Sequence, residues 1–253
     1  QATAEEDAVI IGTQDMLLSR ALNRGYGMSR YRWPLHFGLL NNDCLWIIDE
    51  VQLVGSGVAT TAQLQAFRRR LGTAIPTHTS WMSATLEESW LRTVDIEDVD
   101  IAGHEQLEQD DYDDVIVAKR VGARKSVARA SASVGDLQVL AKEVASAHRR
   151  GTRSLAILNT VDRARNLFLQ LRKEKTKATL VLLHSRFRAA ERNAALAGAI
   201  AAPADEGNIV VSTQVIEAGV DLTSATMFTE VAPWASLVQR FGRCNRKGED
   251  DDA

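Results

Sequence analysis

Short apolar runs alternate along this chain with segments of helical periodicity, and this alternation restricts the fold more than any other feature. Apolar runs of about four to eight residues are typical of buried strands. Strands that alternate with helical segments indicate βα units and a parallel sheet. The predicted strands are Ala8–Gly12, Leu45–Asp49, His78–Thr85, Ser154–Thr160, Thr179–Ser185, Asn208–Thr213 and Ala225–Val231. The sequence therefore predicts an α/β fold.

The strands fall into two groups, which predicts two domains. An acid-rich stretch, Asp95–Asp114, and an Ala/Ser/Arg-rich stretch, Ala123–Ser133, separate them. We therefore predict α/β domains at residues 1–122 and 135–253, joined by a linker at 123–134. The predicted helices are Gln14–Asn23, Thr60–Leu71, Gly135–Arg150, Val161–Lys173, Ala189–Ala202 and Ala235–Cys244.

Composition limits the class of protein. A chain of 253 residues with 45% hydrophobic content can form two cores of about 100 to 150 residues each. Its apolar runs are shorter than the roughly 18 residues of a membrane span, and its N-terminus lacks a signal pattern, so we predict a cytoplasmic protein. The net charge of −3 restricts nucleic-acid contacts to local basic patches. Cys44 and Cys244 are predicted free thiols.

Polar residues follow most of the predicted strands, where ligands bind to doubly wound sheets. Any one of them taken alone is more simply explained as a cap of the next helix. Asp49 and Glu50 form the strongest case, because an apolar strand that ends in Asp-Glu is an arrangement that nucleotide triphosphatases use. The first acid then holds Mg²⁺ and the second orients or deprotonates the attacking water. The alternative is a helix N-terminus that carries acids.

Arginines recur every three residues near the end of the chain, in QRFGRCNRKG. If this stretch is helical, Arg240, Arg243 and Arg246 lie on one side and repel each other by a few tenths of a kcal/mol per pair. Such a cluster needs an anion, and a nucleotide triphosphate would supply it. The alternative is a solvated basic face. We predict that the acids and the arginines are complementary parts of one nucleotide site.

These motifs resemble those of the superfamily 2 helicases. IIDEVQ is similar to their motif II, SAT at Ser83–Thr85 to motif III, STQVIEAGVDL to motif V and QRFGRCNR to motif VI. GTQDMLLSRALNRGYGMSR, LNTVDRARNLFLQL and LLHSRF resemble, more narrowly, the helicase part of the type I CRISPR-associated helicase-nuclease. The resemblance implies two RecA-like domains, each a mainly parallel sheet flanked by helices. It also implies ATP and Mg²⁺ as cofactors.

The resemblance assigns roles to the motif residues. Asp49 would bind Mg²⁺, Glu50 would be the catalytic base, and Arg243 and Arg246 would be arginine fingers. Four residues would contact or sense the nucleotide: Gln52, Gly219, Asp221 and Gln239. Ser83 and Thr85 would couple hydrolysis to domain closure. Arg240 is expected to be structural or shared.

Single-stranded DNA is the implied nucleic-acid partner, held by its backbone. The predicted contacts are Thr13, Asn159, Thr160, Ser185, Arg186 and Thr213. A basic and aromatic run at residues 20–33 could add base stacking, or could be a loop folded onto the first domain. Arg68 to Arg70 are expected to form an exposed helix face.

Two family features are missing from the sequence. None of the 16 glycines precedes a lysine, so the GxxxxGK[ST] phosphate loop is absent. The chain begins at Gln1 and ends in an acidic run, and we expect a segment of a longer protein with that loop upstream, incomplete and inactive by itself. The nuclease domain would lie elsewhere in the parent chain, and a guide-RNA surveillance complex would recruit the whole helicase-nuclease. The alternatives are a general superfamily 2 DNA or RNA helicase and a nucleic-acid-binding remnant that does not hydrolyse ATP.

Overall fold

The computed structural model of the chain describes residues 6–83, 86–93, 103 and 105–250. Backbone contacts divide the chain into two compact units, Gln1–Glu105 and Gln106–Ala253, which we call unit 1 and unit 2. Within the described ranges, every helix is too short or too polar to cross a membrane.

Unit 1 is built on two parallel strands, β1 (Cys44–Ile48) and β2 (Thr77–Trp81). Its α-helices in the described ranges are α1 (Gln14–Ala21), α2 (Trp33–Asn41) and α3 (Gly57–Leu71). One face of β1 is covered, because the Trp46 side chain packs with Leu18, Ala21 and Leu64 from α1 and α3. On the other face, Leu45 and Ile47 are 65% and 59% exposed.

Two expectations about unit 1 are wrong. Ala8–Gly12 is not a strand, and Val9 and Ile11 are 90% and 92% exposed. A strand needs a ladder partner for its backbone N–H and C=O groups, and the two strands described here pair with each other instead. Arg68 is also not on an exposed face, because its side chain turns inward and only 7% of the residue is exposed.

Unit 2 contains a four-stranded parallel sheet in the order β4-β5-β3-β6. The strands are β3 (Arg153–Ile157), β4 (Thr179–Leu183), β5 (Asn208–Ser212) and β6 (Thr226–Thr229). Every residue of the central strands β3 and β5 is buried. Helices cover both faces, since Ala156 packs in one apolar cluster and Leu155 in another. Strands buried on both faces read as continuous apolar runs, which is why the sequence revealed them.

Side-chain caps mark where several helices of unit 2 begin. The helices are α4 (Val115–Val121), α5 (Leu137–Ala147), α6 (Val161–Leu171), α7 (Ala189–Ile200) and α8 (Trp234–Phe241). Asp114, Asp136 and Thr160 accept hydrogen bonds from first-turn N–H groups of α4, α5 and α6. The α/β class, with parallel sheets flanked by helices, is confirmed.

The end of α8 differs from the prediction. The helix stops at Phe241, with Gly242 as its C-cap, whereas the sequence predicted a helix to Cys244. Only Arg240 of the three arginines is therefore helical. Arg243 and Arg246 lie in the turn that follows, so their i, i+3 spacing does not place them on one helix face.

Candidate nucleotide and nucleic-acid sites

The acidic pair follows β1 directly. Asp49 is exposed and Glu50 is half-buried, so neither carboxylate bears the full cost of desolvation. Glu50 has φ 50° and ψ 53°, in the left-handed region. Its backbone N–H donates to Asp49 Oδ1 at 2.9 Å. A non-glycine residue in this conformation costs about 1–3 kcal/mol, and such strain is concentrated at functional sites.

A chain of hydrogen bonds starts at Glu50. Gln52 Nε2 donates to Glu50 Oε2 at 2.5 Å, and Ser83 Oγ donates to Gln52 Oε1 at 2.6 Å. The amide of Gln52 therefore donates and accepts at once, as its chemistry allows. The structure thus joins three of the predicted site residues, from the ends of both strands of unit 1. The other predicted coupling residue, Thr85, lies outside the described residues.

The donor set near Asp49 suits a Mg²⁺ ion that also contacts phosphate. Among the residues described, no group of three or more His, Cys, Asp or Glu side chains could hold a metal. Mg²⁺ keeps several waters and usually takes one or two carboxylates together with substrate phosphates. A single exposed aspartate such as Asp49 fits that requirement.

In unit 2, Arg240 is the centre of a buried polar network and is only 2% exposed. Its Nε donates to Glu217 Oε1 at 2.7 Å. Its Nη1 donates to Thr229 Oγ1 at 2.9 Å and to the Glu230 carbonyl at 3.1 Å, and its Nη2 donates to Asn159 Oδ1 at 3.0 Å. These acceptors come from the ends of β3 and β6 and from the loop after β5. The expectation that Arg240 is structural agrees with these contacts.

Glu217 holds a second arginine through its backbone. Arg243 Nη2 donates to the Glu217 carbonyl at 2.8 Å, and Arg243 is 6% exposed. In this conformation the Arg243 guanidinium is therefore largely enclosed, although it was predicted to face phosphate. The sequence alone predicts no role for Glu217, and its only signal is the position of this residue within VIEAGVDL.

Arg246 is the exposed arginine of the three. Its backbone N–H donates to Thr223 Oγ1 at 3.0 Å, and its Nε lies 3.5 Å from Asp221 Oδ1. The two side chains are 44% and 87% exposed. Gly219, with φ +70°, is exposed in the same loop as Asp221. The structure therefore brings Arg246 and Asp221 together, while Gln239 is half-buried on α8.

The predicted nucleic-acid residues of unit 2 follow β3, β4 and β5, but they differ in access. Ser185 and Arg186 are exposed, whereas Thr213 is only 2% exposed. The Asn159 side chain also donates to the Val231 carbonyl at 2.8 Å, and the Thr160 hydroxyl caps α6. In unit 1, Thr13 is exposed just before α1. These assignments stay predictions, and of the residues after β3 to β5, Asn159, Thr160, Ser185 and Arg186 are exposed while Thr213 is buried.

His184 directly follows β4, next to Ser185 and Arg186, and is only 5% exposed. Its ring stacks on Phe187, with centroids 4.0 Å apart and planes 14° from parallel. Nδ1 is buried without a hydrogen-bond partner among the described residues. Burial lowers the pKa of His184, and the nearby charges of Arg165 and Arg186 lower it further. The HSRF string identified this segment, but nothing in the string predicted the stacking.

Known proteins similar to this chain are CRISPR-associated helicases. Residues 150–249 match the family described as CRISPR-associated nuclease/helicase Cas3, C-terminal. The CRISPR-associated helicase Cas3 of Thermoproteus tenax is 31% identical over 105 residues, which are 41% of this chain and 18% of that protein. The CRISPR-associated nuclease/helicase Cas3 of Haloferax volcanii is 40% identical over 75 residues, 29% of this chain and 8% of that protein. The predicted resemblance to the helicase part of Cas3 is confirmed.

A solved Cas3 structure shares the fold. The crystal structure of T. fusca Cas3-ATP aligns with a TM-score of 0.57 and 21% identity, covering 85% of this chain and 28% of that one. At this identity the likeness concerns the fold alone. The chain spans 18% or less of the length of the two Cas3 relatives described above.

Proposed function

We propose that this chain is part of the motor of a CRISPR-associated helicase-nuclease and uses ATP hydrolysis to move along single-stranded DNA. The observation that carries the proposal is the hydrogen-bonded chain from Glu50 through Gln52 to Ser83. It connects the predicted catalytic base to the predicted coupling residue at the end of the neighbouring strand. The similarity to Cas3 proteins, some of which are named nuclease/helicases, supports the same activity.

In this proposal each motif residue acts on the nucleotide or its metal. Asp49 would hold Mg²⁺, which neutralises charge that develops on the phosphates. Glu50 would orient and deprotonate the attacking water, and Gln52 would hold the Glu50 carboxylate in place. Arg246 would reach the phosphates as an arginine finger, with Arg243 as the second finger once it leaves its enclosed position. Gly219, Asp221 and Gln239 would shape the nucleotide contact.

Single-stranded DNA would follow the residues that end the strands, with Ser185 and Arg186 as the first contacts. Both are exposed, and hydroxyl and guanidinium groups bind backbone phosphate without selecting sequence. The proposal includes a phosphate loop and a nuclease domain in the full-length protein, and recruitment by a guide-RNA surveillance complex. Because this chain lacks GxxxxGK[ST], we expect the isolated chain not to hydrolyse ATP, and we place the activity in the cytoplasm.

The test is the Glu50→Gln substitution in the full-length protein. Loss of the carboxylate removes the base but keeps the size and a hydrogen-bonding group, so DNA-stimulated ATP hydrolysis should fall at least about 100-fold. Binding of a fluorescent ATP analogue should stay within about twofold of wild type. The control is Glu87→Gln, because Glu87 is an exposed acid of the same unit. The Glu87→Gln protein should hydrolyse ATP at the wild-type rate.

Unchanged turnover in Glu50→Gln would contradict the assignment of the base. A wild-type full-length protein that binds single-stranded DNA without hydrolysing ATP would instead indicate a nucleic-acid-binding remnant. Equal stimulation by RNA and DNA would favour a general helicase.

A further inference from the structure

Asn245, the residue before Arg246, holds the turn that carries this arginine. Asn245 is 3% exposed and has φ 45°, a left-handed conformation that asparagine tolerates better than most residues. Its Nδ2 donates to the carbonyl of Asp250 at 2.6 Å, and its Oδ1 accepts from the Asp250 N–H at 3.1 Å. Its own N–H donates to the Ser224 carbonyl at 2.8 Å. The side chain thus closes the turn and the backbone attaches it to the loop before β6.

The same side chain ties this turn to the segment that precedes the sheet of unit 2. Asn245 Nδ2 also donates to the Arg124 carbonyl at 3.0 Å. Arg124 lies shortly after α4, in the stretch where the sequence predicts an interdomain linker. Close backbone packing supports the contact, since a Cβ on Gly248 would lie 2.1 Å from the Lys119 carbonyl oxygen. We call residues 118–124 the connector segment.

These contacts act on Arg246 through its backbone. The Arg246 N–H is held by Thr223, and the residue before it is held by the connector segment and Asp250. The guanidinium itself is nearly half exposed. Its reach towards an anion therefore depends on where the turn sits. Preorganised donors stabilise a transition state because they need not reorganise as the reaction proceeds.

We propose that Asn245 is a positioning residue for Arg246, and that it sets the reach of this arginine by seating the turn on the connector segment. The inference rests on the proposed function, in which Arg246 faces the phosphates of ATP. Asn245 itself is enclosed, so it acts through its neighbour and not on the nucleotide.

The experiment is a double-mutant cycle in the full-length protein, read as kcat and KM for DNA-stimulated ATP hydrolysis. Asn245→Gly removes the side-chain ties and leaves a residue that adopts positive φ without strain. We expect kcat to fall about 10-fold, since misplacing a catalytic group costs rate, while KM stays within about twofold. In an Arg246→Ala background, where kcat is already about 10³-fold lower, Asn245→Gly should cause no further loss, because residues that act as a unit are not additive.

A matched control comes from elsewhere in unit 2. Lys175 also has a positive φ, 52°, and is exposed, so Lys175→Gly places glycine at another left-handed position away from the arginine turn. It should retain wild-type kcat. A second variant, Asn245→Asp, keeps the side-chain shape but turns an oxygen instead of an N–H towards the Arg124 carbonyl. It should lower kcat at least as much as Asn245→Gly.

The outcomes separate the inference from the proposed function. If Arg246→Ala retains wild-type turnover, the arginine-finger assignment fails. If Arg246→Ala is impaired but both Asn245 variants are normal, or if the Asn245 and Arg246 effects multiply, the positioning role is wrong while the proposed function stands. A loss in Asn245→Gly that is abolished by Arg246→Ala supports the positioning role.

Discussion

Arg68 in unit 1 and Arg240 in unit 2 are both buried, and their surroundings differ. Arg68 in unit 1 is 7% exposed and Arg240 in unit 2 is 2% exposed. Arg240 pairs with the Glu217 carboxylate and reaches three further acceptors. Arg68 has no carboxylate within ion-pair distance in the described part of the chain, and its Nη2 has no hydrogen-bond partner there.

The environment of Arg68 compensates its charge only partly. Its Nε donates to Asn41 Oδ1 at 2.8 Å, and its guanidinium lies 5.2 Å from the centre of the Trp46 ring. Burial lowers the pKa of Arg68 to about 10, so the group still carries its charge at neutral pH. A buried cation of this kind adds little to the stability of the fold beyond what an apolar side chain of similar size would add. The comparison teaches that burial alone does not make an arginine important, whereas the acceptors it satisfies do.

The largest effect that the comparison predicts is at Arg240. Arg240→Met leaves the Glu217 carboxylate buried without its cation, which should cost about 3–5 kcal/mol of unfolding free energy. The measurement is urea unfolding, monitored through the hydrogen exchange of the α8 and β3 amides. The double variant Arg240→Met/Glu217→Leu should recover most of the loss. A loss below about 1 kcal/mol in the single variant would contradict the central role of the pair.

A smaller effect is predicted at Arg68. Arg68→Met removes the buried charge but leaves Asn41 Oδ1 without its donor, and these terms oppose each other, so the unfolding free energy should change by less than about 1.5 kcal/mol. Four of the five tryptophans, Trp46 among them, lie in unit 1, so tryptophan fluorescence during urea unfolding reports mainly on that unit. A loss as large as that of Arg240→Met would mean that Arg68 has an anionic partner of its own.

The smallest effect is a pH dependence at His184, which, like Arg68, is a buried base without a partner carboxylate in the described ranges. Because the folded-state pKa of His184 is lowered, the unfolded chain binds a proton first as pH falls below about 6.5. Unit 2 should therefore lose stability as pH falls from about 7 to about 5. His184→Gln should show a shallower dependence, by less than about 1 kcal/mol over this range. Parallel pH profiles would indicate that His184 does not titrate differently on folding.

The sequence predicts structure most accurately where a feature is local. The strands of unit 2 are continuous apolar runs, and capping residues such as Asp136 and Thr160 mark helix starts. The predicted strand at Ala8–Gly12 is wrong, because an apolar run forms a strand only where a neighbouring strand can pair with it. The predicted exposure of Arg68 is wrong, because a basic run does not show which of its side chains turns inward.

The residues of the candidate site also divide into those that the sequence predicted and those that only the structure revealed. The acids, the glutamine and the arginine spacing were all visible in the sequence, as was the resemblance to Cas3 helicases. The roles of Glu217 and Asn245 were not visible, because their partners lie 23 and 121 residues away along the chain.

The sequence by itself determined the α/β class, the positions of the strands in unit 2, and which residue types stand at the ends of those strands, because periodicity and capping act over a few residues. Only the tertiary structure decided which of the similar arginines is enclosed and which is exposed. That choice depends on acceptors from distant segments, such as the Glu217 carboxylate for Arg240 and the Glu217 carbonyl for Arg243. A guanidinium becomes stable inside a protein only when folding brings such acceptors to it.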